Sequence, residues 1–278
     1  MPVITTNTSA NSALRYLNIN SDEQTNALNK VASGSRITRA SDDAAGLAVA
    51  TKLQSDVAVL GQASTNASHA SSILETADGG LSSISDVLER MKVLCAESMS
   101  GAVSDTERTY INSEFSALMD EIDSIVSTTT FNGTALLSGT YSADFLVGTA
   151  AGDTITADLA TNAAFGNIAD LATAYADLAT GVGSAANAAT ALTAVNSAIG
   201  DVAAARAEVG AQESRFDYHA AQINSSEENL DAAQSAIMDA DVAEAQSEFS
   251  SAQVKTNAAI AALASANSMP QQLLSLLQ

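Results

Sequence analysis

Two apolar ladders, one in each half of the chain, recur at intervals of seven residues. In the first half, Leu53, Leu60, Ala67, Leu74, Leu81, Leu88 and Cys95 form one stripe, and Ala63, Ala70, Ala77, Ile84 and Met91 form a second, three positions on. In the second half, Val195, Val202, Val209, Phe216, Ile223, Leu230 and Ile237 repeat the pattern. A helix turns once in about 3.6 residues, so apolar side chains held at this interval line one face, which stays dry only against other helices. The two ladders predict a mainly α fold. Its architecture is an antiparallel coiled-coil rod of long helices with both termini at one end, a shape suited to an assembly part.

Composition narrows the field. The 278 residues suffice for one large or two modest domains, but the chain has no Trp, two Pro and few aromatics. Ala-rich seams bring backbones close while each contact stays small, so stability must come from length and partners. A net charge of −21 excludes phosphate binding by clustered Lys and Arg, and so nucleic acid as a partner. It equally disfavours an anionic membrane surface and favours solubility. Cys95 is the single cysteine, so no disulfide framework exists, and its place on the ladder predicts a buried thiol.

The N-terminus, Met-Pro-Val-Ile-Thr-Thr, has no charged region followed by an apolar stretch, which argues against a Sec-type signal peptide. Residues 256–278 are uncharged and end in Leu273, Leu274, Leu276 and Leu277, yet Asn257, Asn267, Pro270, Gln271 and Gln272 make them too polar to insert in a membrane.

Along the chain, residues 1–44 are weakly amphipathic, with Leu14, Leu17, Leu28 and Val31 on one face. They bury little alone and are expected to be loose in isolation. Ser33-Gly34-Ser35 reads as a break, and Ser41-Asp42-Asp43 as capping residues for a helix running from Ala44 to about Ser100, with Gly79-Gly80 as a kink. A further helix is expected over 106–128, with Ile111, Phe115, Leu118, Ile122 and Ile125 inward. Phe131-Asn132-Gly133 signals a turn, and Phe145-Leu146-Val147 and Thr154-Ile155-Thr156 read as short strands. Between Arg108 and Arg206 there is no Lys or Arg, so this stretch is expected to be a solvent-facing flank. The second long helix covers about 185–237, on the order of 75 Å at 1.5 Å per residue. Residues 239–278 close the chain with an Ala- and Leu-rich segment bearing Ile260 and Leu263.

Residues suited to chemistry are few. His69 and His219 lack a second His or Cys at metal-ligand spacing, so no metal site is predicted. The carboxylate pairs Asp42-Asp43, Glu227-Glu228 and Asp239 with Asp241 lie at helix starts or on polar faces, where capping and solvation explain them. With no phosphate-binding loop and no nucleophile elbow, the residues point to no enzyme, no cofactor and no catalytic residue. Arg36, Arg39, Asp42 and Asp43 concentrate charge where bases are scarce, and Arg forks can hold carboxylates bidentately to fix one element against another. The cluster is therefore read as a docking device.

The segment Ser33-Gly34-Ser35-Arg36-Ile37-Thr38-Arg39-Ala40-Ser41-Asp42-Asp43-Ala44-Ala45-Gly46-Leu47-Ala48 resembles the N-terminal signature of bacterial flagellin. Phe131-Asn132-Gly133-Thr134 resembles that family's first hairpin. Arg206-Ala207-Glu208-Val209-Gly210-Ala211 and Glu228-Asn229-Leu230 leading to Asp239-Ala240-Asp241 resemble its C-terminal rod helix. Ala264-Ser265-Ala266-Asn267 with Pro270-Gln271 and Leu273-Leu274 resembles its terminal helix.

The resemblance implies a structural subunit that polymerises with itself into the bacterial flagellar filament for swimming motility. It also implies secretion by type III export rather than a Sec signal, an extracellular location in the flagellum, and an export chaperone, filament cap and hook-junction proteins as partners. Residues 1–44 and 239–278 would form a discontinuous inner coiled-coil domain, disordered in the monomer and folding on polymerisation. Residues 45–238 would form the rod, with a β-hairpin insert at about 129–184 and no large outer variable domain, giving a thin, smooth filament.

Polymerisation and inter-domain docking would fall to Arg36, Arg39, Asp42, Asp43, Leu14, Leu17, Leu28, Val31, Ile260, Leu263, Leu273 and Leu274. A Toll-like immune receptor that reads some flagellins would meet Arg90, Leu94 and Glu114, although Val93 and Cys95-Ala96 depart from its pattern. Two other classes compete. A cytoplasmic signalling bundle also shows long Ala-rich heptads, but it expects a glycine hairpin tip and bases spread along the helices. A rod-bearing adhesin or junction protein would need a large distal domain, for which the length leaves little room.

Overall fold

The computed structural model describes residues 7–160, 163–169, 178 and 180–276, with 163 and 270–276 described by backbone alone. The elements are α1 (Thr8–Ser33), α2 (Ala44–Ser98), α3 (Asp105–Thr128), β1 (Thr130–Phe131), β2 (Thr134–Ala135), β3 (Ser142–Leu146), β4 (Thr154–Asp158), α4 (Ala163–Ala169), α5 (Ala185–Met238) and α6 (Val242–Leu276). The fold is mainly α, as the ladders predict. The chain divides into two compact units. One contains both ends of the chain, up to Val57 and from Glu228; the other is Ala58–Glu227.

In the central unit both ladders are buried. On α2, Leu60, Ala63, Ala67, Ala70, Leu74, Ala77, Leu81, Ile84, Leu88, Met91 and Cys95 all lie inside. On α5, Val195, Val202, Val209, Phe216 and Ile223 do so, flanked by Ala188, Ala191, Ala198 and Ala205. The helices run antiparallel, because Ser64 bonds Asn224 at 3.0 Å while Asp78 takes a fork from Arg206 at 2.8 and 3.2 Å. Leu53, Leu230 and Ile237, which belong to the unit of the chain ends, are only half-buried. Burial pushes the Cys95 thiol up to about 11, so it remains a neutral apolar filler.

Two positions on the ladders are polar and were not foreseen. Ser98 completes the Ala63 stripe, and its hydroxyl donates to the Val182 carbonyl at 2.6 Å. Gln212 replaces an Ala in the α5 stripe, accepting from the Asp158 amide at 3.1 Å and donating to the Asp158 carbonyl at 2.8 Å. An amide side chain offers both a donor and an acceptor, so one buried Gln satisfies both backbone groups at the end of β4.

Local capping and turn chemistry set the next boundaries. Ser104 and Glu107 form a reciprocal capping box at the start of α3, and hydrogen bonds from the Ser104 amide and hydroxyl lower the Glu107 carboxyl pKa. Asn132 (φ 49°) and Gly133 (φ 81°) supply the left-handed turn joining β1 to β2, both antiparallel. α2 continues as helix through Gly79-Gly80. A Cβ on Gly80 would meet Leu137 Cδ1 at 2.9 Å and Thr129 Oγ1 at 2.7 Å, so the glycine admits the chain that follows α3.

The stretch without bases is likewise not a mere flank. β3 and β4 pair antiparallel with Phe145 opposite Ile155, and Ile155, Ala157 and Leu159 alternate inward. Leu136, Leu137, Val147, Phe165 and Ile168 are buried too, and Phe145 meets the Phe216 ring edge-on at 5.8 Å. Its polar docking uses amides, Gln212 above and Asn66 donating to the Leu146 carbonyl at 3.1 Å, so no basic residue is required.

Burial along the ladder predicts unequal costs. Leu81→Ala, at a fully buried position, should lower the unfolding free energy by about 2–5 kcal/mol, whereas half-buried Leu53→Ala should cost well under half as much. Urea denaturation of the two variants checks the ratio, and equal losses would contradict the burial pattern.

Candidate assembly interface at the paired chain ends

The unit of the chain ends is organised around α1 and α6, which pack antiparallel. Asn7 caps α1 by accepting from the Ala10 amide at 3.0 Å, and its side-chain NH2 donates to the Ala266 carbonyl at 2.8 Å. Farther along, Glu23 meets Lys255 at 3.4 Å and Lys30 meets Glu248 at 3.7 Å. The dry part of α6 is a strict heptad of one residue type, Ala245, Ala252, Ala259 and Ala266, and Ala27 is the buried residue of α1.

Larger apolar side chains of the pair point outward. Leu14 is 47%, Leu28 49%, Ile260 52% and Val254 68% exposed. Leu17, Val31 and Leu263 are half-buried. The side chains of Leu273 and Leu274 lie outside the described residues. An apolar surface beyond a scatter of single residues marks an interaction site.

The docking cluster has a different geometry from carboxylate-bound arginine forks. α1 stops at Gly34, whose left-handed φ of 69° lets its amide return to the Lys30 carbonyl. The chain then bridges to the end of α5: the Arg36 amide donates to the Met238 carbonyl at 2.6 Å, and the Ala240 amide to the Gly34 carbonyl at 2.9 Å. Arg36 Nε and Nη2 both donate to the Ile237 carbonyl, at 3.1 and 2.8 Å. Its fork therefore holds a main-chain oxygen at a helix C-terminus, where a cation is electrostatically favoured.

Asp42 Oδ2 accepts from the Thr38 and Arg39 amides at 3.1 and 2.9 Å, with the Thr38 hydroxyl as a third donor. These bonds, the one from the Arg39 amide foremost, hold its carboxyl below the usual range. Asp43 caps α2 by accepting from the Gly46 amide at 2.8 Å. A Cβ on Gly46 would collide with the Asp43 carboxyl and come within 2.9 Å of Ile37. Ile37, buried within this polar turn, is a packing residue that charge-based reading passed over.

The residues expected to meet a receptor lie in the central unit and do not form one exposed patch. Arg90 Nη2 and Nε donate to Glu114 Oε1 at 2.6 and 2.8 Å, pairing two half-exposed side chains, while Leu94 is 1% exposed. His69 and His219 are exposed, and no group of three metal-ligating side chains occurs among the described residues. No described helix is long and apolar enough to cross a membrane.

Residues 4–142 match the family described as the bacterial flagellin N-terminal helical region, and residues 192–277 its C-terminal helical region. The chain belongs to the bacterial flagellin family. The flagellar filament 30.7 kDa core protein of Treponema maltophilum is 35% identical over 99% of both chains. The flagellin of Halalkalibacterium halodurans is 34% identical over 99% of this chain and all of that one, and that of Bacillus subtilis is 35% identical over 98% of each. The crystal structure of Bacillus cereus flagellin superposes with a TM-score of 0.49 and 29% identity, covering 57% of this chain and 88% of that one. This flagellin is a structural subunit of the flagellar filament, and filament assembly is the function its interfaces serve.

One electrostatic feature of this flagellin has a measurable pH signature. Burial, then Glu75, Asp217 and Asp78, raises the Glu213 carboxyl pKa above its ordinary 4.5. A carboxyl that holds its proton more tightly when folded makes the fold more stable as pH falls through the raised value, with the gain complete below the unfolded value. Glu213→Gln should therefore raise the urea midpoint at pH 7, with the advantage vanishing below about pH 4.5. A variant equally stabilised at pH 4 and pH 7 would contradict this assignment.

Proposed function

We propose that the α1/α6 unit is the polymerising element of this filament subunit, forming the inner layer, and that α2 to α5 form the rod outside it. What carries the reading is that the two ends of the chain pair through small Ala residues and leave Leu14, Leu28, Val254 and Ile260 uncovered. A lone pair of helices with so thin a core is poorly stable, so neighbouring subunits supply the missing burial, and the ends fold as they polymerise. On this reading Arg36 ties the end of α1 to the end of α5, and residues 1–44 and 239–278 act as one discontinuous domain. Relatives of nearly equal length that match from end to end support a subunit with no large outer domain.

The rest of the life cycle follows the family. The chain leaves the cell through the flagellar type III route, carried by an export chaperone, and adds beneath a cap onto hook-junction proteins. Its work is mechanical and requires no catalysis. The Arg90–Glu114 pair serves packing on the rod surface; with Leu94 inside, it offers an immune receptor only two of the three matching side chains.

Deleting residues 240–278 should abolish seeded polymerisation while leaving the central unit folded. Negative-stain microscopy and circular dichroism of the truncated chain check the two halves of that statement. Filaments grown from the truncated chain would overturn the proposal.

A further inference from the structure

The buried stripe of α6 poses a problem of register. Ala245, Ala252, Ala259 and Ala266 are identical and equally spaced, so sliding α6 by one heptad against α1 restores Ala to three of the four buried places. The adjoining stripe of Phe249, Thr256 and Leu263 is only half-buried. Apolar packing that repeats after a slip does not select one alignment, and coiled coils resolve such degeneracy with charges beside the seam.

We propose that the two crossed ion pairs, Glu23–Lys255 and Lys30–Glu248, hold along the helices the register that the Gly34–Ala240 and Arg36–Met238 main-chain bonds begin at one end, chiefly by penalising the alternatives. The members of each helix are seven residues apart and of opposite sign: Glu23 then Lys30 on α1, Glu248 then Lys255 on α6. In the observed alignment both contacts are attractive. A one-heptad slip in one direction brings Glu23 to Glu248, and a slip in the other brings Lys30 to Lys255. The first slip would also carry Lys30 to Asp241, which lies ahead of α6 and already caps it through the Ala243 and Glu244 amides. Half-exposed ion pairs contribute little to stability by themselves, but exchanging attraction for like-charge contact discriminates between states of otherwise equal burial. The small residues Ala27, Ser251 and Ala252 beside these charges leave an open groove, so no bulky side chain lies between the two ion pairs.

The test reverses the charges of α1 alone. In E23K/K30E the observed register sets Lys against Lys255 and Glu against Glu248, while each one-heptad slip gains an opposite-charge contact. Engineered thiols report the alignment on oxidation with diamide. Asn7→Cys with Ala266→Cys reads the observed register, where Asn7 already touches the Ala266 carbonyl. Asn7→Cys with Ala259→Cys, and Leu14→Cys with Ala266→Cys, read the two slips. Intrachain disulfides are quantified by peptide mass spectrometry of the monomer band, from assembled filaments at low salt; the proposal rests on the filament reading only through that choice of state.

With native charges the 7/266 disulfide should exceed either slip reporter about tenfold, and E23K/K30E should bring that ratio to one or below. Adding E248K/K255E to make the fourfold exchange should restore it. Native charges that cross-link all three reporters alike, or a reversed chain that keeps the native ratio, would overturn the proposal. If E23K/K30E forms no filaments, the fourfold exchange decides: filaments with the 7/266 disulfide support charge-set register, and continued failure to assemble overturns it. Filaments that form normally while none of the three reporters cross-links would instead count against the paired ends as the polymerising element.

Discussion

Close approach of long helices through small side chains is the constraint on which the molecule depends. An Ala on the seam brings backbones together but buries little area, so each contact contributes less than a Leu would. In the central unit the deficit is made up by adding layers. α2 and α5 sandwich Leu, Ile, Val, Phe and Met between their Ala positions, and α3 and the β3/β4 hairpin add Phe115, Ile122, Phe145 and Ile155. At the chain ends, α1 and α6 hold together through Ala and a few polar contacts.

On the proposed reading, that difference in core thickness serves assembly. A filament subunit needs one part that is folded before assembly and another whose burial is completed by neighbours. The central unit has the buried aromatic and aliphatic residues of an ordinary domain. The paired ends keep large apolar side chains outside, and a net charge of −21 holds subunits apart until those surfaces meet in the right geometry. The polar side chains that are buried, Ser98 and Gln212, are spent on main-chain groups where strands and loops rejoin the helices.

Much of this was legible in the chain. Seven-residue spacing specified α2 and α5 nearly to their ends, Ser33-Gly34 marked a true boundary, and Asn132-Gly133 announced its turn. The helix signal was strong because it is local and periodic. What misled was reasoning from missing features. A stretch without bases looked like a solvated flank, yet its alternating apolar residues dock through amide side chains. Two adjacent glycines looked like a feature of α2 alone, yet Gly80 makes room for Thr129 and Leu137, distant in sequence. Arg36 looked like a partner for carboxylates, and it holds the carbonyl of Ile237.

By itself, then, the sequence determined that long helices form, where they start and stop, which stripe of each seeks burial, and to which family the chain resembles itself motif by motif. These are matters of spacing, capping and local backbone preference, set within a few turns of chain. The tertiary structure alone decided which stripes are truly dry, that Leu94 lies inside while Arg90 and Glu114 pair beside it, and that Glu23 and Lys30 meet Lys255 and Glu248. The last of those facts depends on contacts between segments more than two hundred residues apart, and a periodic stripe names a face without naming the register in which its partner will lie against it.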